Sequence, residues 1–290
     1  MDKHLITGTT TLTCLLGRPV SHSISPLMHN EAFRLLGLDC VYLCFDVGED
    51  ELFTAVSGLK ACGARGFNLT MPNKNRILEY LDQLSPAAAL IGAVNTVVCE
   101  DYCLYGHNTD GIGYMRALRD TGFEIRNQEI TVLGAGGAAS AIIAQAALDG
   151  AACIHVCVRR TSRFHHRMEQ MAESIQSSTG CRILLHDQDN PQALGECISS
   201  SRLLVNATSV GMAPDTHQTL IRDMSLFRPD LLVSDVIYNP RRTQLLQDAA
   251  AHGCRTFNGM YMLLYQGAEA FRLWTGQEMP VEEIRKAYFA

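Results

Sequence analysis

The chain has 290 residues, 47% hydrophobic and 19% charged, with a formal net charge of −6. That length can hold two domains or one large one, and the acidic balance gives no footing for nucleic acid or an anionic membrane as partner. No apolar run reaches the roughly 20 residues a bilayer span needs. Met1-Asp2-Lys3-His4 leads into a threonine-rich segment rather than a signal-peptide core, so a soluble, cytoplasmic protein is expected. The 11 cysteines, such as Cys40, Cys44, Cys153 and Cys157, lie mostly inside apolar segments with no Cys-x-x-Cys pair. They read as buried, reduced thiols, and the sequence offers no metal-ligand cluster.

In chain order, Leu12 to Leu16 reads as a strand stopped by Gly17-Arg18-Pro19. Ser25-Pro26 opens a helix with Met28, Phe33 and Leu36 at helical spacing, and Gly37 ends it. Val41 to Val47 is a strand, Leu52 to Leu59 a helix, and Gly66 to Leu69 a strand ending at Thr70-Met71-Pro72. A helix from Asn73 to Leu81 follows. Val94 to Cys99 and Tyr102 to Tyr105 suggest a hairpin turning at Glu100-Asp101. Asp110 to Leu118 is helical, Glu129 to Leu133 a strand, and Ser140 to Leu148 a helix. Further strands are expected over Ala152–Val158, Arg182–Leu185, Leu203–Asn206, Leu231–Val236 and Thr256-Phe257, with helices over Arg163–Ser174 and Thr243–Ala251. A long helix over Met260–Trp274 and a shorter one from Val281 complete the pattern. The alternation predicts an α/β protein of two lobes with a cleft between them.

The strand ending in Thr131-Val132-Leu133 runs into Gly134-Ala135-Gly136-Gly137-Ala138-Ala139. A strand, a Gly-x-Gly-x-x-Ala turn and a helix form the device that binds a dinucleotide pyrophosphate. Gly134 permits the sharp turn, Gly136 lets the backbone approach phosphate, and Ala139 keeps the helix close to its strand. An NAD site normally places an acid about 20 residues beyond the first glycine, to hold the ribose 2′-hydroxyl. Here Arg159-Arg160-Thr161-Ser162-Arg163 stands instead, with no acid before Glu169. A guanidinium suits a 2′-phosphate, so NADP(H) is favoured, with NAD(H) possible.

Three polar clusters follow apolar strands in the first lobe. Hydroxyls at alternate positions of an extended segment point one way, so Ser23 and Ser25 can grip one carboxylate, while Ser25 can also cap the helix. Lys74 follows the proline turn at Met71-Pro72, which holds an ammonium group in place. Asn95-Thr96 and His107-Asn108-Thr109-Asp110 make the third cluster, in which Asp110 alone would read as a helix cap.

Together these segments resemble the shikimate dehydrogenase family. The matches run in order over Gly17 to Asn30, Asn68 to Lys74, Gly92 to Val97, Asn108 to Gly113, Gly134 to Ala139, Asn206 to Gly211, Asp235 to Pro240 and Gly259 to Gly276. Met71-Pro72-Asn73-Lys74 and the tail Phe271 to Gly276 look most like the quinate/shikimate dehydrogenase branch. The resemblance implies reversible NADP(H)-dependent interconversion of 3-dehydroshikimate and shikimate in chorismate and aromatic amino acid biosynthesis, by an alcohol dehydrogenase without a metal. It implies Lys74 and Asp110 as the catalytic pair. Ser23, Ser25, Thr70, Lys74, Asn95, Asp110, Tyr238 and Gln266 would bind substrate. Gly134, Ala135, Gly136, Gly137, Ala138, Arg159, Arg160, Thr161, Thr208 and Met262 would hold the cofactor.

A substrate domain over 1–110 completed by 260–290, a Rossmann-like dinucleotide domain over 111–259, and a monomer or homodimer are the matching expectations. Arg159 stands where the biosynthetic enzymes usually carry asparagine, and Ser162 where the quinate-active branch tends to carry aspartate. A quinate/shikimate dehydrogenase using NAD or NADP is therefore the alternative. A ligand sensor without activity is disfavoured by the presence of both Lys74 and Asp110.

Overall fold

A computed structural model describes Ile6–Phe289; the remaining terminal residues, including Met1-Asp2-Lys3-His4, lie outside the described residues. The chain divides into two units, one of residues up to Thr109 with those from Leu264 onward, the other Asp110–Leu263.

The first unit contains β1 (Thr11–Gly17), α1 (Ser25–Leu36), β2 (Cys40–Asp46), α2 (Glu49–Ala61), β3 (Gly66–Leu69), α3 (Asn73–Arg76), β4 (Gln83–Leu84), α4 (Pro86–Ile91), β5 (Thr96–Glu100) and β6 (Cys103–His107). Its sheet has the order β2-β1-β3-β5-β6-β4. β1 runs parallel to β2 and β3, whereas β5 is antiparallel to β3 and β6. Cys14, Leu16, Leu52, Val56, Phe67, Ile77 and Val97 pack into one apolar cluster.

The expected helix from Asn73 to Leu81 is instead a single α turn followed by a 3-10 turn over Ile77–Tyr80. The side chains of Asn73 and Asn75 are drawn to the carbonyls of Val47 and Gly92, which favours a short, tethered turn over a continuous helix. The hairpin turn lies one residue later than expected. Asp101 and Tyr102 make its turn at φ 49° and 60°. β4 and α4 escaped the pattern because each is too short to show a period.

The second unit contains α5 (Asp110–Asp120), β7 (Glu129–Leu133), α6 (Gly137–Leu148), β8 (Cys153–Val158), α7 (His165–Thr179), β9 (Arg182–Asp187), α8 (Pro191–Ser200), β10 (Leu203–Asn206), β11 (Leu232–Asp235), α9 (Gln244–Ala251) and β12 (Arg255–Phe257). Every pairing in the sheet β12-β11-β10-β7-β8-β9 is parallel. This is a doubly wound order whose direction reverses beside β7, where the glycine turn begins. α7 starts two residues later than expected because Phe164 is its N-cap, and it runs on to a left-handed Gly180. α10 (Met260–Thr275) and α11 (Val281–Tyr288) follow, and their residues from Leu264 onward cluster with the first unit. There Trp274 donates its indole N–H to the Val97 carbonyl at 2.9 Å, and Phe271 stacks on Phe33. Among the described residues no helix is long and apolar enough to cross a membrane.

Candidate active site residues in each unit

In the first unit, Asn95 is buried at the end of the loop before β5 and forms the hub of a polar network. Its Oδ1 accepts the Thr109 backbone N–H at 2.8 Å, and its Nδ2 donates to the Thr109 hydroxyl at 3.0 Å. Nδ2 also lies 3.4 Å from Oε1 of Gln266, so the long-range partner implied by the family likeness reaches this network. Asn68 donates to the Asn95 carbonyl and the Thr96 hydroxyl, and accepts from the Tyr42 hydroxyl at 2.8 Å. Burial of the Tyr42 phenol raises its pKa well above the usual range, so it stays a neutral donor in this network. Because the network is buried and satisfied, the amides at its edge are fixed in orientation.

Ser23 and Ser25 do not share an extended segment. Ser25 is the first residue of α1, and its N–H donates to Ser23 Oγ at 3.2 Å. The cap assigned to Ser25 is therefore corrected: Ile24 is the N-cap, with no side-chain cap, and Ser23 holds the entry turn. The proline following at position 26 favours the helix start.

Thr70 lies against Gly17, where any Cβ would collide with the Thr70 methyl, so glycine there allows the close approach. Lys74 is half-buried on α3. Its carbonyl accepts the Val94 N–H at 2.8 Å, and neighbours Asn73 and Asn75 bond to Val47 and Gly92. The lysine backbone is thus tethered on both sides. His22 is exposed; His107 is half-buried, and burial lowers its pKa.

In the second unit, Asp110 is the first residue of α5, where a carboxylate is favoured by the helix dipole. Gly134 adopts φ 103°, a conformation that strains other residues, and a Cβ there would press on Thr208 and Ala207. Gly136 is the N-cap of α6. A Cβ at Gly136 or Gly137 would meet nothing within 4 Å. The first turn of α6, through Ala138, carries N–H groups without intrahelical acceptors beside that open space, which suits a phosphate. Ala135 is buried at the end of the strand.

Thr208 is held from below: its hydroxyl donates to Asn206 Oδ1 at 2.7 Å, while Asn206 Nδ2 donates to Asp235 and Thr243 donates to the same carboxylate. Burial raises the Asp235 pKa against these hydrogen bonds. Tyr238 is 47% exposed, and Met262 is half-buried on α10.

Arg159, Arg160 and Thr161 are exposed beyond β8, in a turn closed by the Ser162 N–H on the Arg159 carbonyl. No acid follows β8 in sequence before Glu169, yet the fold brings a carboxylate to this loop from elsewhere. Asp187, at the end of β9, pairs with Arg160 Nε at 3.0 Å. Parallel pairing of β8 with β9 brings together two residues far apart in sequence. The same strand pairing sets His155 of β8 beside His186 of β9, with Cys197 of α8 near both, a grouping of ligand-type side chains that sequence spacing alone does not show. Alternation of Cys153, His155 and Cys157 along one strand was its only sequence signal.

Two family models match the chain, the shikimate dehydrogenase substrate binding domain over residues 15–97 and the shikimate 5′-dehydrogenase C-terminal domain over residues 259–287. The shikimate dehydrogenase (NADP(+)) of Listeria innocua is 50% identical over 284 residues, covering 98% of this chain and 97% of that protein. The crystal structure of shikimate 5-dehydrogenase from Listeria monocytogenes, in complex with shikimate and NAD, superposes with a TM-score of 0.95 at 50% identity over 97% of each chain. Quinate dehydrogenase from Corynebacterium glutamicum, in complex with NAD, superposes with a TM-score of 0.84 at 30% identity, covering 97% of this chain and 99% of that one.

Proposed function

The chain belongs to the shikimate dehydrogenase family, and from that premise we propose that it interconverts 3-dehydroshikimate and shikimate with NADP(H). The observation that carries the reading is the meeting of Gln266 with Asn95 across 171 residues, beside Thr109 and above the Asn68 network. Such a fixed set of amide and hydroxyl groups suits a ligand bearing several hydroxyls. Ser23, Ser25, Thr70 and Tyr238 would add donors for the carboxylate and ring hydroxyls.

The glycine turn fits a pyrophosphate, because the first turn of α6 is open and uncrowded at Gly136 and Gly137. Gly134 to Ala138, Thr208 and Met262 would hold the dinucleotide, with Arg159, Arg160 and Thr161 at its ribose. When bound, the dinucleotide supplies the hydride acceptor or donor. Lys74 and Asp110 handle the proton. Oxidation of a secondary alcohol needs its O–H proton removed, and reduction needs one returned to the carbonyl oxygen. A lysine ammonium stabilises negative charge on that oxygen, and an aspartate carboxylate accepts from the hydroxyl. Together they orient the substrate and relay the proton.

A second reading, broader use of quinate and NAD, is favoured by the Arg160–Asp187 pair, because Asp187 occupies part of the guanidinium that a 2′-phosphate would claim. Initial rates with shikimate and with quinate, each with NAD and NADP, test both. The proposal expects the largest kcat/KM for shikimate with NADP. Turnover of neither substrate overturns it, and quinate with NAD as the best pair selects the second reading. A cytoplasmic location, and a monomer or homodimer, belong to the same proposal.

A further inference from the structure

In the second unit, β7, β8 and β9 present a row of ligand-type side chains on one face. Glu129 pairs in register with Cys153, and Cys157 with His186, so these residues share a face with His155 between them. α8 packs on this face and supplies Cys197, which sits in the apolar cluster with Cys157, Leu194 and Ile198. His155 and Cys197 are buried and His186 is half-buried. We propose that His155, His186 and Cys197 form a binding site for one borderline-soft divalent transition metal, Zn²⁺ foremost.

The donor atoms of the three residues all lie within 4.8 Å of one another. Tetrahedral zinc, with bonds of roughly 2.0–2.3 Å, sets its ligand atoms about 3.3–3.8 Å apart, so small side-chain rotations bring the set to bonding distance. The Nδ1 of His155 faces the Nε2 of His186 at 2.9 Å. The other ring nitrogen of His155 is held by the Glu129 carboxylate at 2.6 Å, with Cys153 Sγ at 3.8 Å. A carboxylate on Nε2 fixes the tautomer in which Nε2 carries the proton and Nδ1 keeps its lone pair for a metal.

The thiol is poised as well. Cys197 is buried beside Cys157, and its Sγ is one of the three donor atoms within 4.8 Å of one another. Two imidazoles and one thiolate suit zinc better than magnesium or calcium, which prefer oxygen. Binding releases the Cys197 thiol proton to solvent, and the half-buried side at His186 leaves a fourth position for water. The site stands on the sheet face under α8, apart from the glycine turn at the carboxyl end of β7, so it needs no part of the dehydrogenase reading.

The test uses the full chain after treatment with a chelator. Titration with Zn²⁺ by calorimetry should give one equivalent bound with proton release. Co²⁺ should give a thiolate charge-transfer band and tetrahedral visible bands. Cys197→Ser should abolish the charge-transfer band. His186→Ala, at a less buried position, should keep native circular dichroism and weaken Zn²⁺ by more than 100-fold, since partners one shell further out already cost about 10- to 100-fold. Glu129→Gln should cost roughly 10-fold. Absence of stoichiometric Zn²⁺ binding overturns the proposal. So does unchanged affinity in His186→Ala, or a thiolate band that survives Cys197→Ser.

Discussion

In the first unit the candidate residues are side chains locked by other side chains: Asn95 is bound by Thr109, Asn68 and Gln266 at once. In the second unit the candidate cofactor site is mainly backbone, an uncrowded turn at Gly136 and Gly137 with Thr208 braced from beneath by Asn206 and Asp235. The difference follows from the ligands. A small hydroxylated ring is told apart by individual donors and acceptors. A pyrophosphate needs only converging N–H groups and the absence of side chains. The first unit should therefore be sensitive to single side-chain changes in substrate turnover, and the second to changes in cofactor choice.

The strongest way to break that contrast is Lys74→Ala. A general acid–base group acts mainly in the transition state, so kcat should fall by about 10³-fold with substrate KM changed far less. Steady-state kinetics with shikimate measure it, and near wild-type kcat would remove Lys74 from proton transfer.

Asp110→Asn keeps a side chain suited to a helix start but loses the charge. It should lower kcat by roughly 10²-fold while the unfolding midpoint barely moves. Loss of stability with turnover retained would make Asp110 a structural residue only.

Arg160→Ala sharpens the second half of the comparison. One charge-assisted contact is worth about 1.5–3 kcal/mol, but the pair with Asp187 already engages this side chain. The NADP preference over NAD should then narrow by roughly 10-fold, the low end of that range. Comparing kcat/KM for the two cofactors before and after the change decides it; an unaltered ratio assigns the preference elsewhere.

The smallest effect is a pH dependence of the first unit. His29 is fully buried among Phe33, Tyr42, Phe271 and Trp274, and its ring stacks on Tyr42 at 4.5 Å. Neither ring nitrogen has a hydrogen-bond partner among the described residues, and desolvation pushes its pKa down to about 3. The unfolded chain thus binds the proton more readily than the folded one. This group's stabilising contribution is complete above the unfolded pKa near 6.5. It is lost as pH falls from there toward 3, at up to about 1.4 kcal/mol per pH unit. Denaturant melts of wild type and His29→Phe across that window should diverge as pH falls, with the variant losing less stability. Parallel curves would refute the assignment.

Much of this was legible in the sequence where local chemistry fixes local geometry. The strand, Gly134 turn and helix form as the pattern demands, and Gly37 ends α1 in a left-handed conformation. Gln266, named by the family likeness as a substrate residue, lies 3.4 Å from Asn95. What sequence could not show depends on strand pairing and tethering. Asp187 reaches Arg160 only because β9 lies beside β8, and His186 reaches His155 for the same reason. The turn at Ser23 replaced an extended segment because local hydroxyl-to-backbone bonds compete with strand geometry. The tethering of the Lys74 backbone depends on bonds from Asn73 and Asn75 to Val47 and Gly92, which lie far away in sequence.

The passage of the chain through the second unit before it returns to the first has a bearing on biosynthesis. Arg65 donates to the Trp274 carbonyl, and the Trp274 indole closes over Val97. On the ribosome, residues up to Thr109 emerge first, and then all of Asp110–Leu263 is made before Phe271 and Trp274 appear. At about 5–20 residues per second, that interval lasts on the order of ten seconds. During it the aromatic face of Phe33, Tyr42 and His29 lacks the cover that Phe271 and Trp274 later supply. The second unit, continuous in sequence, can complete its sheet while translation is still under way.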